Sequence, residues 1–124
     1  MNLPTYEWLD DVIRYQLRFK DKRRRILRII CSRTILNPTF SANIEAVFKI
    51  SGPAVRDIVS KARLVGVPIA STSNGYWLAA NEAELVDTKA HLDGRIMKIQ
   101  MVRDALDYPV WPEGQAVEQI EMSL

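Results

Sequence analysis

The stretch from Ser51 to Gly66, with the turn-rich segment behind it, limits the possible folds more than any other part of the chain. Ser51 can cap a helix, its hydroxyl accepting a backbone N–H one turn in, and Pro53 suits the first turn, where no N–H is needed. Val55, Ile58, Val59, Ala62 and Val65 recur at steps of three and four, which lines one helix face with apolar side chains. Arg56, Ser60, Lys61 and Arg63 fall largely off that face. Gly66 is a C-terminal stop and Pro68 forbids continuation. A short extended run from Val67 to Ser71 follows, then the polar Ser71-Thr72-Ser73-Asn74-Gly75 and the aromatic Tyr76-Trp77-Leu78. Asn74-Gly75 between two apolar runs signals a hairpin. Tyr76 and Trp77 point to opposite faces of their strand, so one is expected in the core and the other exposed.

Three helices are expected before this stretch. Thr5 is a candidate N-cap for the first, in which Trp8, Leu9, Val12, Ile13 and Leu17 form a stripe and Tyr15 and Phe19 extend it. Asp21 can cap the second, Lys22 to Thr34, with Ile26, Leu27, Ile29, Ile30 and Cys31 inward; one uninterrupted helix from 5 to 35 is the alternative. Asn37-Pro38 marks a turn. Ser41 then caps a short helix running through Phe48, with Ile44, Val47 and Phe48 inward, and Lys49-Ile50-Ser51-Gly52 forms the turn into the helix that follows. A short strand near Thr39-Phe40 would complete a three-stranded sheet. Beyond the hairpin, Asn81 with Glu84 three residues on resembles a capping box and opens a long helix from Ala83 to Leu106. Leu85, Leu92, Ile99 and Leu106 recur at seven, with Val86, Ile96 and Val102 broadening the stripe. Thr88 and Arg95 interrupt it, and Gly94 costs about 1 kcal/mol relative to Ala. Pro109 and Pro112 end the helix.

These features resemble a winged helix-turn-helix domain, particularly the small N-terminal domain of biotin-ligase repressors. The likeness rests on Ser51, on Arg63-Leu64-Val65-Gly66-Val67 and on Gly75-Tyr76-Trp77-Leu78. Similar arrangements occur among small phage and prophage proteins. The likeness covers residues 22 to 80. It implies a winged helix-turn-helix, and with the helices read on either side the expected fold is mainly α with a small β-hairpin, a winged helix-turn-helix carrying an extra N-terminal helix and a long C-terminal helix. The organisation is then a helical extension at 1–21, the winged domain at 22–80, the long helix at 81–107 and a flexible acidic tail at 108–124.

Charge supports the same direction. The net charge is only +2, yet residues 14 to 80 hold thirteen lysines and arginines against Asp21, Glu45 and Asp57. Residues 81 to 124 hold nine acids and four bases. A basic middle and an acidic end fit a body that faces a polyanion and a tail that does not. A 48% hydrophobic chain of 124 residues suits one compact domain with an added element. The single Cys31 excludes an internal disulfide framework, and with a lone His91 it argues against a metal site. No Gly-rich phosphate loop and no Ser/His/Asp or Cys/His set is present, so neither an enzyme nor a cofactor is expected. The absence of a secretory signal or a long apolar run gives a cytoplasmic expectation without membrane contact.

The expected partner is double-stranded DNA. Arg56 and Ser60 are candidates for base edges, Lys61 and Arg63 for the backbone, and Pro53 and Ala54 for thymine methyls, with Ser51 at the helix start. Ser73 and Asn74 supply the wing, which carries no Lys or Arg. Arg23, Arg24 and Arg25 flank the site and attract phosphate without regard to sequence. Leu85, Leu92, Ile96, Ile99 and Leu106 are candidates for a homodimer seam. The competing expectation is a protein-interaction adaptor or inhibitor that uses the winged scaffold to bind a host protein.

Overall fold

A computed structural model describes residues 7–73 and 75–112. The Thr5 cap, Asn74 and the acidic residues 113–124 lie outside the described residues. The chain divides into two compact units, 1–90 and 91–124.

In the first unit α1 (Glu7–Asp11) runs without a break into a π-helical turn, Val12–Leu17. Arg18 then turns left-handed (φ 56°), and the N–H groups of Arg18 and Phe19 both donate to the Ile13 carbonyl. That double closure ends the first helix, so the uninterrupted 5–35 helix does not form. Helix α2 (Asp21–Cys31) starts without a side-chain cap. Asp21 is its first residue, itself at φ 50°, and Lys20 holds the capping position. The helix also ends at Cys31, short of Thr34, because Thr34 turns to bridge Asn37.

Strand β1 (Thr39–Phe40) leads into α3 (Ser41–Phe48), and α4 (Gly52–Leu64) follows after a turn through Lys49, left-handed at φ 57°. Ser41 does not cap α3. It lies inside the helix, and its hydroxyl donates to Glu45 Oε2 at 2.9 Å. Val47, expected inward, is 71% exposed because the packed face runs through Ile44 and Phe48. For α4 the structure follows the pattern closely. Ser51 Oγ accepts from the Ala54 N–H at 3.2 Å, Val55, Ile58, Val59 and Ala62 are buried, and Gly66 takes φ 93° past the end.

Strands β2 (Ile69–Thr72) and β3 (Gly75–Leu78) form the hairpin, and β1 joins on the far side in the order β1-β3-β2, all antiparallel. The strands close at Thr72 and Gly75, one residue earlier than an Asn74-Gly75 turn would place it, with Ser73 left-handed at φ 42°. Gly75 serves close packing: a Cβ there would stand 3.3 Å from the Phe40 ring and 3.3 Å from the Thr72 carbonyl. Leu9, Ile13, Ile26, Leu27, Ile30, Val55, Val59 and Ile69 make one fully enclosed core, so the N-terminal helix is part of the domain's own packing.

Both hairpin aromatics are buried, which corrects the expectation that one is exposed. Tyr76 faces the main core. Trp77, 4% exposed, lies outside that cluster and is held by the 3₁₀ helix Glu82–Leu85, its Nε1–H donating to Glu84 Oε1 at 2.8 Å. Asn81 caps as expected, accepting from the Glu84 N–H at 3.2 Å, but the Glu84 carboxylate accepts from Trp77 and the Ala80 N–H instead of completing a capping box.

Helix α5 (Val86–Ala105) therefore begins three residues after the expected start. Thr88 in its first turn is buried. Its hydroxyl accepts from the Ser71 N–H at 3.0 Å and donates to the Ser71 carbonyl at 3.3 Å. β2 is an edge strand, so this hydroxyl satisfies backbone groups that would otherwise be left open. In the second unit, Ile96, Ile99 and Val102 are exposed along α5, and Leu106 is exposed in the turn just past its end.

Candidate nucleic-acid interface

Helix α4 buries one face and presents the other to solvent because its sequence alternates at helical spacing. The outward face carries Pro53, Arg56, Asp57, Ser60, Lys61 and Leu64, all exposed, and Ala54 is half-buried beside it. Ser51, exposed at the start, is occupied as the cap. Of the predicted contacts, Pro53, Arg56, Ser60 and Lys61 thus share one surface. The Lys61 ammonium is 2.9 Å from the Asp57 carboxylate one turn earlier, so Asp57 is partly neutralised and Lys61 is partly spent.

Arg63 plays another part. Its Nε donates to the Ile69 carbonyl at 2.9 Å and a terminal nitrogen donates to Ser71 Oγ at 3.1 Å. The guanidinium ties α4 to β2 and fixes the hairpin against the helix, which sets the angle between them. A phosphate contact would compete with that tie.

The hairpin tip and the start of α4 meet. Ser73, Gly52 and Arg56 line a cleft of about 460 Å³ together with Phe40, Ser41 and Glu45. Neither helical spacing nor a motif marks Phe40 and Glu45 as site residues; the cleft exists only once β1 and α3 are packed beside the hairpin. Glu45 lines the same cleft as Arg56, and a Cβ at Gly52 would stand 3.3 Å from the Arg56 guanidinium and 3.5 Å from the Glu45 carboxylate, so one acid tempers the positive field at the helix start.

The basic run of α2 does not form one flat patch. Arg25 lies over the Phe48 ring at 5.4 Å, at the end of α3 where the chain turns toward α4. Arg23 lies over Phe19 at 5.7 Å. Arg24 turns to a separate cavity on the α1 side, with Arg28, whose Nε is 3.6 Å from Asp10. Successive residues on a helix point about 100° apart, so three adjacent arginines reach three surroundings.

Along the proposed seam, Leu85 is half-buried and Leu92, Ile96, Ile99 and Leu106 are exposed. Their spacing, seven, four, three and seven, fits core positions of a heptad, four of them equivalent and Ile96 at the other. In the register that includes Ile96 the remaining core positions hold Lys89 and Arg103, and in the register of Leu85, Leu92, Ile99 and Leu106 with Val102 they hold Thr88 and Arg95; Arg103 is paired with Asp104 at 3.0 Å and Asp107 at 3.5 Å.

Among the described residues no group of three or more His, Cys, Asp and Glu side chains could hold a metal ion, and no helix is long and apolar enough to cross a membrane. Cys31 is buried, and burial pushes its thiol up to about 12, so it carries no thiolate near neutral pH. No protein-family model, curated protein or solved structure matches this chain.

Proposed function

We propose that this is a small DNA-binding protein of phage or prophage type, a transcriptional regulator or a replication accessory factor, that places α4 in the major groove. The observation that carries the reading is the outward face of α4. A capped, well-anchored helix presents a guanidinium, a hydroxyl and a proline from Pro53 to Ser60, next to a hairpin tip that reaches the same cleft. Arg56 is the residue best suited to guanine O6 and N7, and Ser60 to a neighbouring base edge. Arg25, beside the turn into α4, supplies phosphate attraction. The exposed α5 seam favours a homodimer, and paired modules read two half-sites.

A second reading, a protein-interaction module, draws on three observations. Asp57 and Glu45 lower the positive charge of the α4 surface, Leu64 is 85% exposed at its end, and Val47 and Phe40 are exposed nearby. Selection of bound sequences from a random duplex pool tests the two against each other. Enrichment of a palindromic motif supports the dimeric DNA reader. Failure to retain any duplex at low salt supports the protein-binding module.

A further inference from the structure

The cavity on the α1 side of α2 holds about 570 Å³ and, among the described residues, shares no lining residue with the α4 cleft. Five cationic side chains converge on it: Arg14, Arg18 and Lys20 from the helix end and linker, Arg24 and Arg28 one turn apart on α2. Among the described residues Asp10 is the only acid in the lining, 3.6 Å from Arg28, so these side chains carry a net positive balance. Cations gathered around a concavity focus potential more strongly than the same charges on a flat face.

The backbone around it is unusual in two ways. The segment entering the cavity rim is a π-helical turn, a form frequent at functional sites. Arg18 and Asp21, neither of them glycine, hold left-handed conformations at φ 56° and φ 50°. Strain of that kind persists where the surrounding structure fixes it, and it clusters at ligand sites. Here it turns the chain so that Arg18 and Lys20 face Arg24 and Arg28 across one space.

From these observations we infer that this cavity binds a small multiply charged phosphate ester, of the size and charge of a nucleoside diphosphate. The volume falls within the ~300–1,000 Å³ usual for small-molecule sites. A duplex backbone, by contrast, is met by an open surface. Arg24 and Arg28 offer paired N–H donors to phosphate oxygens, Arg14, Arg18 and Lys20 neutralise the remaining charge, and Ile13 and Phe19 close the floor. The proposal does not rest on DNA binding by α4.

Isothermal titration of the full chain with ADP, inorganic pyrophosphate and adenosine tests it. ADP and pyrophosphate bind, adenosine does not, and Arg24→Gln weakens both phosphates by on the order of tenfold, as loss of one charge-assisted hydrogen bond requires. Arg18→Gly is the second variant. It relieves a left-handed residue, so thermal stability holds or rises while phosphate affinity falls. Equal affinity of Arg24→Gln, Arg18→Gly and the parent protein overturns the proposal, as does adenosine binding as well as ADP. Absence of binding by either phosphate also overturns it. If Arg24→Gln weakens only duplex DNA in a parallel titration, the cavity residues belong to a backbone contact and the small-ligand site is wrong.

Discussion

Cys31 shows how a single position is governed by its surroundings. It is enclosed by the core formed around α2, and desolvation alone raises its thiol from 9.0 to about 12. Because the folded state keeps the proton more tightly, this residue's contribution to stability is complete below pH 9.0 and is lost as pH rises toward 12. We predict that an aromatic disulfide reagent modifies Cys31 at pH 8 only at the rate of unfolding, and that urea midpoints fall between pH 9 and 12 more steeply than in Cys31→Ala. Modification at the rate of a free thiol would show that the site is open. Ser51 and Asn81 are legible from sequence because capping is local: donor and acceptor lie three residues apart. Trp77, Glu84 and Thr88 are not, because their roles depend on partners several to many residues away. Thr88, which looks like a flaw in an apolar heptad, is the hydroxyl that closes the edge of β2.

Among the elements, α4 and the hairpin can be read because their signals agree: cap, stripe, glycine stop, turn residues. The N-terminal break is legible in its place, just before Asp21, but not in its geometry, since left-handed Arg18 and Asp21 carry no glycine to announce it. The start of α5 falls later than spacing implies for a tertiary reason, as Glu84 is drawn to the Trp77 indole and the first turn tightens to a 3₁₀ helix. We predict that Thr88→Val, which keeps the shape and removes the hydroxyl, costs about 1–3 kcal/mol by urea denaturation and speeds amide exchange at Ser71. An unchanged midpoint would mean that water replaces the latch. Gly94 lies within α5, and a Cβ added there would meet nothing within 4 Å. Gly94→Ala is therefore expected to raise helix content and to stabilise α5 by up to about 1 kcal/mol, read by circular dichroism on heating. A loss of stability would reveal a neighbour that the single chain does not supply.

For the whole molecule, the uneven charge and the exposed α5 seam belong to one reading. On the proposed function, the basic body would address the polyanion and the apolar seam would pair two copies, giving two α4 helices for two half-sites. Leu92→Asp is predicted to convert a dimer to a monomer in sedimentation velocity at micromolar concentration. A parent protein that is monomeric there, or a variant that stays dimeric, would remove the seam from the account. The candidate site is partly legible in the sequence. Helical spacing alone exposes Pro53, Arg56, Ser60 and Lys61 together, while the tie of Arg63 to the hairpin and the scattering of Arg23, Arg24 and Arg25 depend on neighbours that spacing does not describe.

The claim that α4 reads DNA is tested most directly by fluorescence anisotropy of the purified protein on its best selected duplex, across a range of salt, beside Arg56→Ala. If α4 reads DNA, log affinity falls linearly with log salt, by about 0.9 for each phosphate contacted, and Arg56→Ala loses about 1–3 kcal/mol on that site. Binding that ignores salt, or an Arg56→Ala variant that binds as tightly as the parent, would contradict it.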